Sequence, residues 1–177
     1  MSRLNPPVNS KDHIQGLPDA IIEFVEYGDY QCPYCGKVYP VIKEIQETFG
    51  EKLMFVFRHF PLSNIHKYAL PAAIATEAAN RQHKFWQMHD AIYERQPELS
   101  ESALKKFAVQ IGLEMAAFER DMSDESITEK IELDFESGMH SGVNGTPSFF
   151  INGYRYEGYY DYTSLSNAIK ANLQPTF

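Results

Sequence analysis

Ala20-Ile21-Ile22-Glu23-Phe24-Val25-Glu26-Tyr27-Gly28-Asp29-Tyr30-Gln31-Cys32-Pro33-Tyr34-Cys35-Gly36 is the stretch that decides the fold. Ala20 to Tyr27 is an apolar, β-branched run of strand length, and Gly28-Asp29 breaks it. Beyond the cysteines, Val38, Val41, Ile42, Ile45 and Phe49 recur at helical spacing until Gly50. The cysteines therefore sit at a strand-to-helix turn, with Pro33 suited to the first helical turn. Pro40 falls inside the helix and is expected to kink it, because it has no N–H to donate.

Cys32 and Cys35 are the only cysteines of the chain, in the order Cys32-Pro33-Tyr34-Cys35. Three chemistries use such a pair. Half a zinc site needs two more ligands; His59 and His66 are available, but no second Cys pair or closely spaced His pair follows. Two inert buried thiols fit poorly with an intervening Pro and Tyr that mark a helix start. A redox dithiol fits the flanks. A helix N-terminus offers unpaired N–H groups and a partial positive charge, and both favour a thiolate. That lowers the pKa of Cys32 and makes it the nucleophile. Cys35 lies three residues on, on the same helical face, where it can attack a mixed disulfide formed at Cys32.

The chain has 177 residues, with 16 basic and 24 acidic side chains giving a net charge of -8 at pH 7. Without a Lys/Arg block, that balance argues against nucleic acid as a partner. A hydrophobic fraction of 44% supports a substantial core, and no apolar run is long enough to insert in a membrane. Residues 1–16 read as a polar, Pro-containing arm without the apolar run of a secretory signal. As written, the expected location is the cytoplasm, or a periplasmic or other extracytoplasmic compartment if a leader was removed.

The strand, the Cys-Pro-Tyr-Cys, the Pro-containing helix and the distant Thr146-Pro147 together resemble the thioredoxin superfamily. Leu53 to Phe57 reads as a second strand ending near Phe60-Pro61. The long interval from there to Thr146 carries helical patterns: Ala69 to Asn80, the Phe85-Trp86-His89-Ile92-Tyr93 stripe, a segment capped by Ser100 and closed by Gly112, Met115 to Met122, and one from Ile127 to about Gly138. A helical insertion at that place is similar to the DsbA-like thiol:disulfide oxidoreductases, and the match runs from about Ala20 to Leu173. Ser148 to Ile151 follows Thr146-Pro147 as an apolar strand, and Asn152-Gly153 reads as a tight hairpin turn into Tyr154 to Tyr156. A last helix is expected from Thr163 to Leu173, capped by Asp161 or Thr163.

The resemblance implies an α/β thioredoxin fold: a central mixed sheet flanked by helices, formed by 17–62 and 140–177, with an inserted all-helical subdomain over 63–139. It implies a cis bond before Pro147, facing the cysteines, and a Thr146 backbone that pairs with an extended substrate chain beside Pro33 and Tyr34. It also implies a buried acid below the cysteines at Glu26. Strand alternation puts Glu26 on the face of Phe24 and Ile22, and a buried carboxylate of raised pKa can take the proton of Cys35. The best-known members carry His where Tyr34 sits. Cys32 is therefore expected to be less acidic than their roughly 3.5, partly compensated by a hydrogen bond from the Thr146 hydroxyl. The expected potential lies between the thioredoxin and DsbA extremes, roughly -250 to -150 mV.

The function read from this is disulfide exchange with protein thiols and disulfides, without a bound cofactor. Because the chain has no second dithiol, glutathione or a separate thiol protein must reset the pair. A glutathione-dependent transferase or isomerase of the kappa-like branch is the alternative enzyme, against which the retained Cys35 counts. A metal-binding or interaction module on the same fold is the non-enzymatic one. His59, His66, Trp86 and His89 are read as structural, the histidines because no carboxylate partner is evident in the sequence. The tyrosines at 154, 156, 159 and 160 are read as packing on the last helix.

Overall fold

A computed structural model describes residues 2–173. Its central sheet has five strands: β1 His13–Gln15, β2 Ile22–Gly28, β3 Leu53–His59, β4 Ser148–Ile151 and β5 Tyr154–Tyr156. Their order across the sheet is β1-β3-β2-β4-β5. The β2–β3 pair is parallel, with Phe24 opposite Phe55 and Glu26 opposite Phe57. The other three pairings are antiparallel. Helix α1 (Pro33–Phe49) makes the crossover between the parallel strands, as a parallel pair requires. Five helices stand between β3 and β4: α2 Ala69–Asn80, α3 Phe85–Glu94, α4 Glu101–Gln110, α5 Met115–Asp121 and α6 Glu125–His140. Helix α7 (Tyr162–Leu173) closes the described part of the chain. This is a mixed α/β thioredoxin-like sheet with an inserted helical region.

Alternation along the strands sorts the core into two layers. Ile22, Phe24, Phe55, Phe57 and Phe149 face α1 and the insertion, packing with Val38, Ile42, Ile45, Met88, Ile92 and Phe107. Val25, Tyr27, Met54, Val56 and Phe150 face the other way, onto Leu4, Phe60 and Val143. Each such aromatic or aliphatic side chain contributes about 1.5–3 kcal/mol by leaving water. Helix α2 follows the predicted bounds. Its alanines 72, 73, 75, 78 and 79 are all buried, so the helix lies close to its neighbours.

Local signals set the element ends. The Ser100 hydroxyl accepts from the N–H of Ala103 at 3.1 Å, and the Asp161 carboxylate accepts from that of Ser164 at 2.9 Å. Asn152 and Gly153 take φ of 49° and 78°, the positive pair that a two-residue hairpin of this type needs. Pro40 lies within α1, which runs unbroken from Pro33 to Phe49.

One expectation is corrected. Residues 2–16 are not a free polar arm: His13–Gln15 adds an edge strand antiparallel to β3, Leu4 is buried, and Arg3 bridges to Tyr154. Three residues are too few to show a strand period, and the cation that anchors the segment, Arg58, lies 46 residues from its partner Asp12. The boundaries at residue 1 and at 174–177 lie outside the described residues.

Candidate redox site

The turn between β2 and α1 is held from three sides. From within, the Asp29 carboxylate accepts the N–H of Gln31 at 2.7 Å and that of Cys32 at 3.1 Å. Its other oxygen accepts the N–H of Leu62 at 2.9 Å and contacts His66 Nδ1 at 2.7 Å, which ties the turn to the segment leaving β3. From the insertion, the Gln96 amide donates to the carbonyls of Tyr30 at 2.9 Å and Cys32 at 2.8 Å. Gly36 makes room for it, since a Cβ there would come within 2.2 Å of Gln96 Oε1. Gln96→Ala is expected to cost about 1–3 kcal/mol in denaturant unfolding, because it strips a donor from buried carbonyls. A loss below 0.5 kcal/mol would mean water replaces the amide.

On the third side is the loop before β4, where the Thr146–Pro147 peptide is cis. In the dithiol form, the Cys32 thiol donates to the Thr146 carbonyl at 3.4 Å. Cys32 takes the N-cap position of α1 with extended backbone angles, so the first free N–H groups of the helix surround its sulfur. Pro33 and Tyr34 are exposed beside it, and the Lys37 ammonium lies 5.6 Å from the Tyr34 ring. The structure thus brings Cys32, Cys35, Glu26, Thr146 and Pro147 together, with Pro33 and Tyr34 on the rim.

The two thiols differ in environment. Cys32 is pulled down to about 5, first by a hydrogen bond from the Cys35 thiol. Burial, the next largest cause, opposes this, and Thr146 and the N–H groups of Cys35 and Tyr34 add smaller downward contributions. The Thr146 hydroxyl is buried with no partner in the protonated form, so it is free to turn to the sulfur on ionisation. Cys35 has no exposed surface, and burial pushes its thiol well up, assisted by the neighbouring Cys32 and Glu26.

Glu26 is 1% exposed and one of its carboxylate oxygens has no protein partner. Burial raises it to about 8, and the negative charge on Cys32 adds to that. The Tyr93 hydroxyl is likewise buried without a partner. His59 and His66, the ligands a dithiol-centred zinc site needs, turn instead to Glu77 and Asp29. Both histidines therefore do have carboxylate partners, brought by chain segments 18 and 37 residues away. The roles of Asp29 and Gln96 at the turn escaped the sequence reading, and His66, read as structural, ties the turn through Asp29. Asp29 carried a signal, as an Asp three residues before the N-cap Cys32.

A family model described as thioredoxin matches residues 8–171. Among curated proteins, the Na(+)/H(+) antiporter NhaA 1 of Mycobacterium sp. (strain KMS) is 37% identical over 173 residues, 97% of this chain and 28% of that protein. That of Salinispora arenicola (strain CNS-205) is 39% identical over 166 residues, 94% of this chain and 25% of that protein. The chain thus spans about a quarter of the length of these curated relatives. Among solved structures, BdbD from Bacillus subtilis in its oxidised form superposes with a TM-score of 0.86 at 22% identity, covering 97% of this chain and 98% of that one. Wolbachia pipientis alpha-DsbA1 gives 0.82 at 25% identity, covering 95% and 93%.

Proposed function

The chain belongs to the thioredoxin family, and from that premise we propose that it is a DsbA-like thiol:disulfide oxidoreductase domain whose Cys32-Pro33-Tyr34-Cys35 exchanges disulfides with protein substrates. The observation that carries this reading is the asymmetry of the pair: an acidified sulfur at the helix start facing the cis Pro147, with its mate fully buried. Ion transport stands in the names of curated relatives about four times as long as this chain. No helix among the described residues is long and apolar enough to cross a membrane.

As an oxidant, the disulfide form receives a substrate thiolate at Cys32 Sγ. The S–S bond breaks and Cys35 leaves with the electron pair, taking up a proton. A second substrate thiolate attacks the substrate sulfur of the mixed disulfide, the substrate bridge forms, and Cys32 leaves as a thiolate. Two electrons pass to the dithiol. Reduction runs the same steps backward, and there Cys35 must lose its proton to attack the mixed disulfide. Glu26 is suited to take it. Once the Cys32 charge is gone, one of the two causes that keep Glu26 protonated is gone too, so the carboxyl is more often ionised and free to accept a proton when one must be taken. Thr146 presents its backbone to an extended substrate, and Pro147 places no N–H against the sulfur.

A thiol near 5 lies between the thioredoxin and DsbA examples, about 7 and 3.5, which supports the intermediate potential expected from Tyr34. In a glutathione-buffered cytosol such a pair stays mostly reduced and acts as reductase or isomerase, while an oxidising compartment makes it an oxidase. A partner thiol protein or glutathione resets it.

The test combines insulin reduction, refolding of a reduced substrate and trapping by Cys35→Ser. Exchange in one of the two assays and capture of proteins as mixed disulfides are expected. A Cys32–Cys35 bridge that never forms reversibly would overturn the proposal. Alkylation of Cys32 is expected to rise with pH through about 5 and then level off. In Cys35→Ala the midpoint moves up, because the hydrogen bond lost is the largest of the acidifying contacts. A midpoint near the ordinary thiol value in the parent protein would contradict the site as described.

A further inference from the structure

Away from the dithiol, a second group of chemistry-bearing side chains is assembled from three elements. His13 stands opposite Phe57 in the β1–β3 ladder, so alternation puts His13, Phe57 and His59 on one face of the sheet. Glu77 of α2 reaches that face. Its Oε1 lies 2.6 Å from His13 Nε2 and 2.8 Å from His59 Nε2, and the three donor atoms all lie within 4.8 Å of one another. All three side chains are buried: His13 is 8% exposed, His59 1% and Glu77 6%. Phe85 stacks on the His13 ring, with centroids 3.5 Å apart, and meets the His59 ring edge-on at 5.9 Å, which walls the cluster with apolar surface.

We propose that His13, His59 and Glu77 form a binding site for one divalent transition-metal ion, with zinc the best match to its ligands. Two imidazole nitrogens and one carboxylate oxygen are a recurrent three-ligand set for zinc, with a fourth position left to water or the second carboxylate oxygen. Both imidazoles meet the same Glu77 oxygen, so the three ligand atoms converge on one point. A cation between the three groups neutralises a buried carboxylate directly. For His59 Nε2 to offer a lone pair, the ring proton must sit on Nδ1. That atom is buried without a partner, so the tautomer changes without breaking a hydrogen bond there. Small outward movements of the three side chains bring the donor atoms to metal–ligand spacing of about 2.0–2.2 Å around one ion. The ion would fasten the edge strand β1 and the first helix of the insertion to β3.

This site is independent of the disulfide chemistry, and its test removes that chemistry. The full chain carrying Cys32→Ser and Cys35→Ser is freed of metal by chelator and dialysis, then titrated with zinc chloride by calorimetry, with metal analysis after desalting. One ion per chain is expected, with a rise in Tm of about 5 °C or more at zinc a hundred times the Kd. Affinity is expected to fall at least 10-fold in Glu77→Gln, His59→Gln and His13→Gln made in that background. Failure of the Cys-free chain to bind zinc at 100 µM overturns the proposal. So does binding that all the variants that fold keep in full. If Glu77→Gln does not fold by circular dichroism, His13→Gln, on the short edge strand, carries the comparison.

Discussion

Arg58→Met is expected to lower stability by about 3–5 kcal/mol, a drop in Tm of roughly 10 °C for a chain of this size. The guanidinium is 1% exposed and forms a two-point contact with the Asp12 carboxylate, Nε to Oδ1 at 2.7 Å and Nη2 to Oδ2 at 2.9 Å. Its remaining N–H groups donate to the carbonyls of Pro6 and Pro7 and to the Tyr27 hydroxyl. Asp12 is itself enclosed, with a side chain 4% exposed. The substitution thus leaves a buried anion with no counter-charge and the Pro6 carbonyl without its donor, while Pro7 keeps the Asn9 amide and Tyr27 keeps the Ser137 hydroxyl. The size of the effect comes from that stranded charge rather than from the net worth of the pair. It follows that Asp12→Leu with Arg58→Met recovers a large part of the loss. Urea unfolding of both variants measures this. A single variant within 1 kcal/mol of the parent would show that Asp12 escapes to solvent when Arg58 is gone.

The same contact explains why the N-terminal residues were misread. Their polarity is real, but it is spent inside the molecule: Asp12 on Arg58, His13 on Glu77, the Pro6 and Pro7 carbonyls on the guanidinium. A sequence shows such residues as solvent-facing because their partners lie dozens of positions away. Where local physics decides, the reading and the structure agree. The β2 run, the alanine-rich α2, the Ser100 cap and the Asn152-Gly153 turn each depend on neighbours within a few residues.

The site divides in the same way. Cys32 and Cys35 were legible because both belong to one helix start, and Glu26 because strand alternation fixes its face. Thr146-Pro147 was legible only through the family pattern. Gln96 and His66 were not, since nothing near them in sequence marks a contact to the turn at Cys32. What they do requires the insertion to be folded back over that turn, so this part of the site is a property of tertiary packing.

Glu26→Gln is expected to make the reduced protein more stable while slowing it. In the folded reduced state burial pushes the carboxyl up to about 8, against about 4.5 for a solvent-exposed glutamate. Raising an acid's pKa means that the folded state holds its proton over a range where the unfolded chain has released it. Stability is therefore undiminished below 4.5 and is lost as pH rises through 8. At pH 7 the accumulated penalty is about 3 kcal/mol, and the neutral, similarly shaped Gln escapes it. The gain should vanish near pH 4, grow through neutrality and level off above 8. It should be smaller in the oxidised protein, where Cys32 carries no charge to raise Glu26 further. Resolution of a mixed disulfide by Cys35 is expected to slow by about 100-fold, the usual worth of a positioned base. Denaturant unfolding of both redox forms across pH, with stopped-flow release of a mixed disulfide, reads both effects. A gain that does not depend on pH would show that Glu26 ionises freely. An unchanged release rate would mean that the proton of Cys35 leaves by another route.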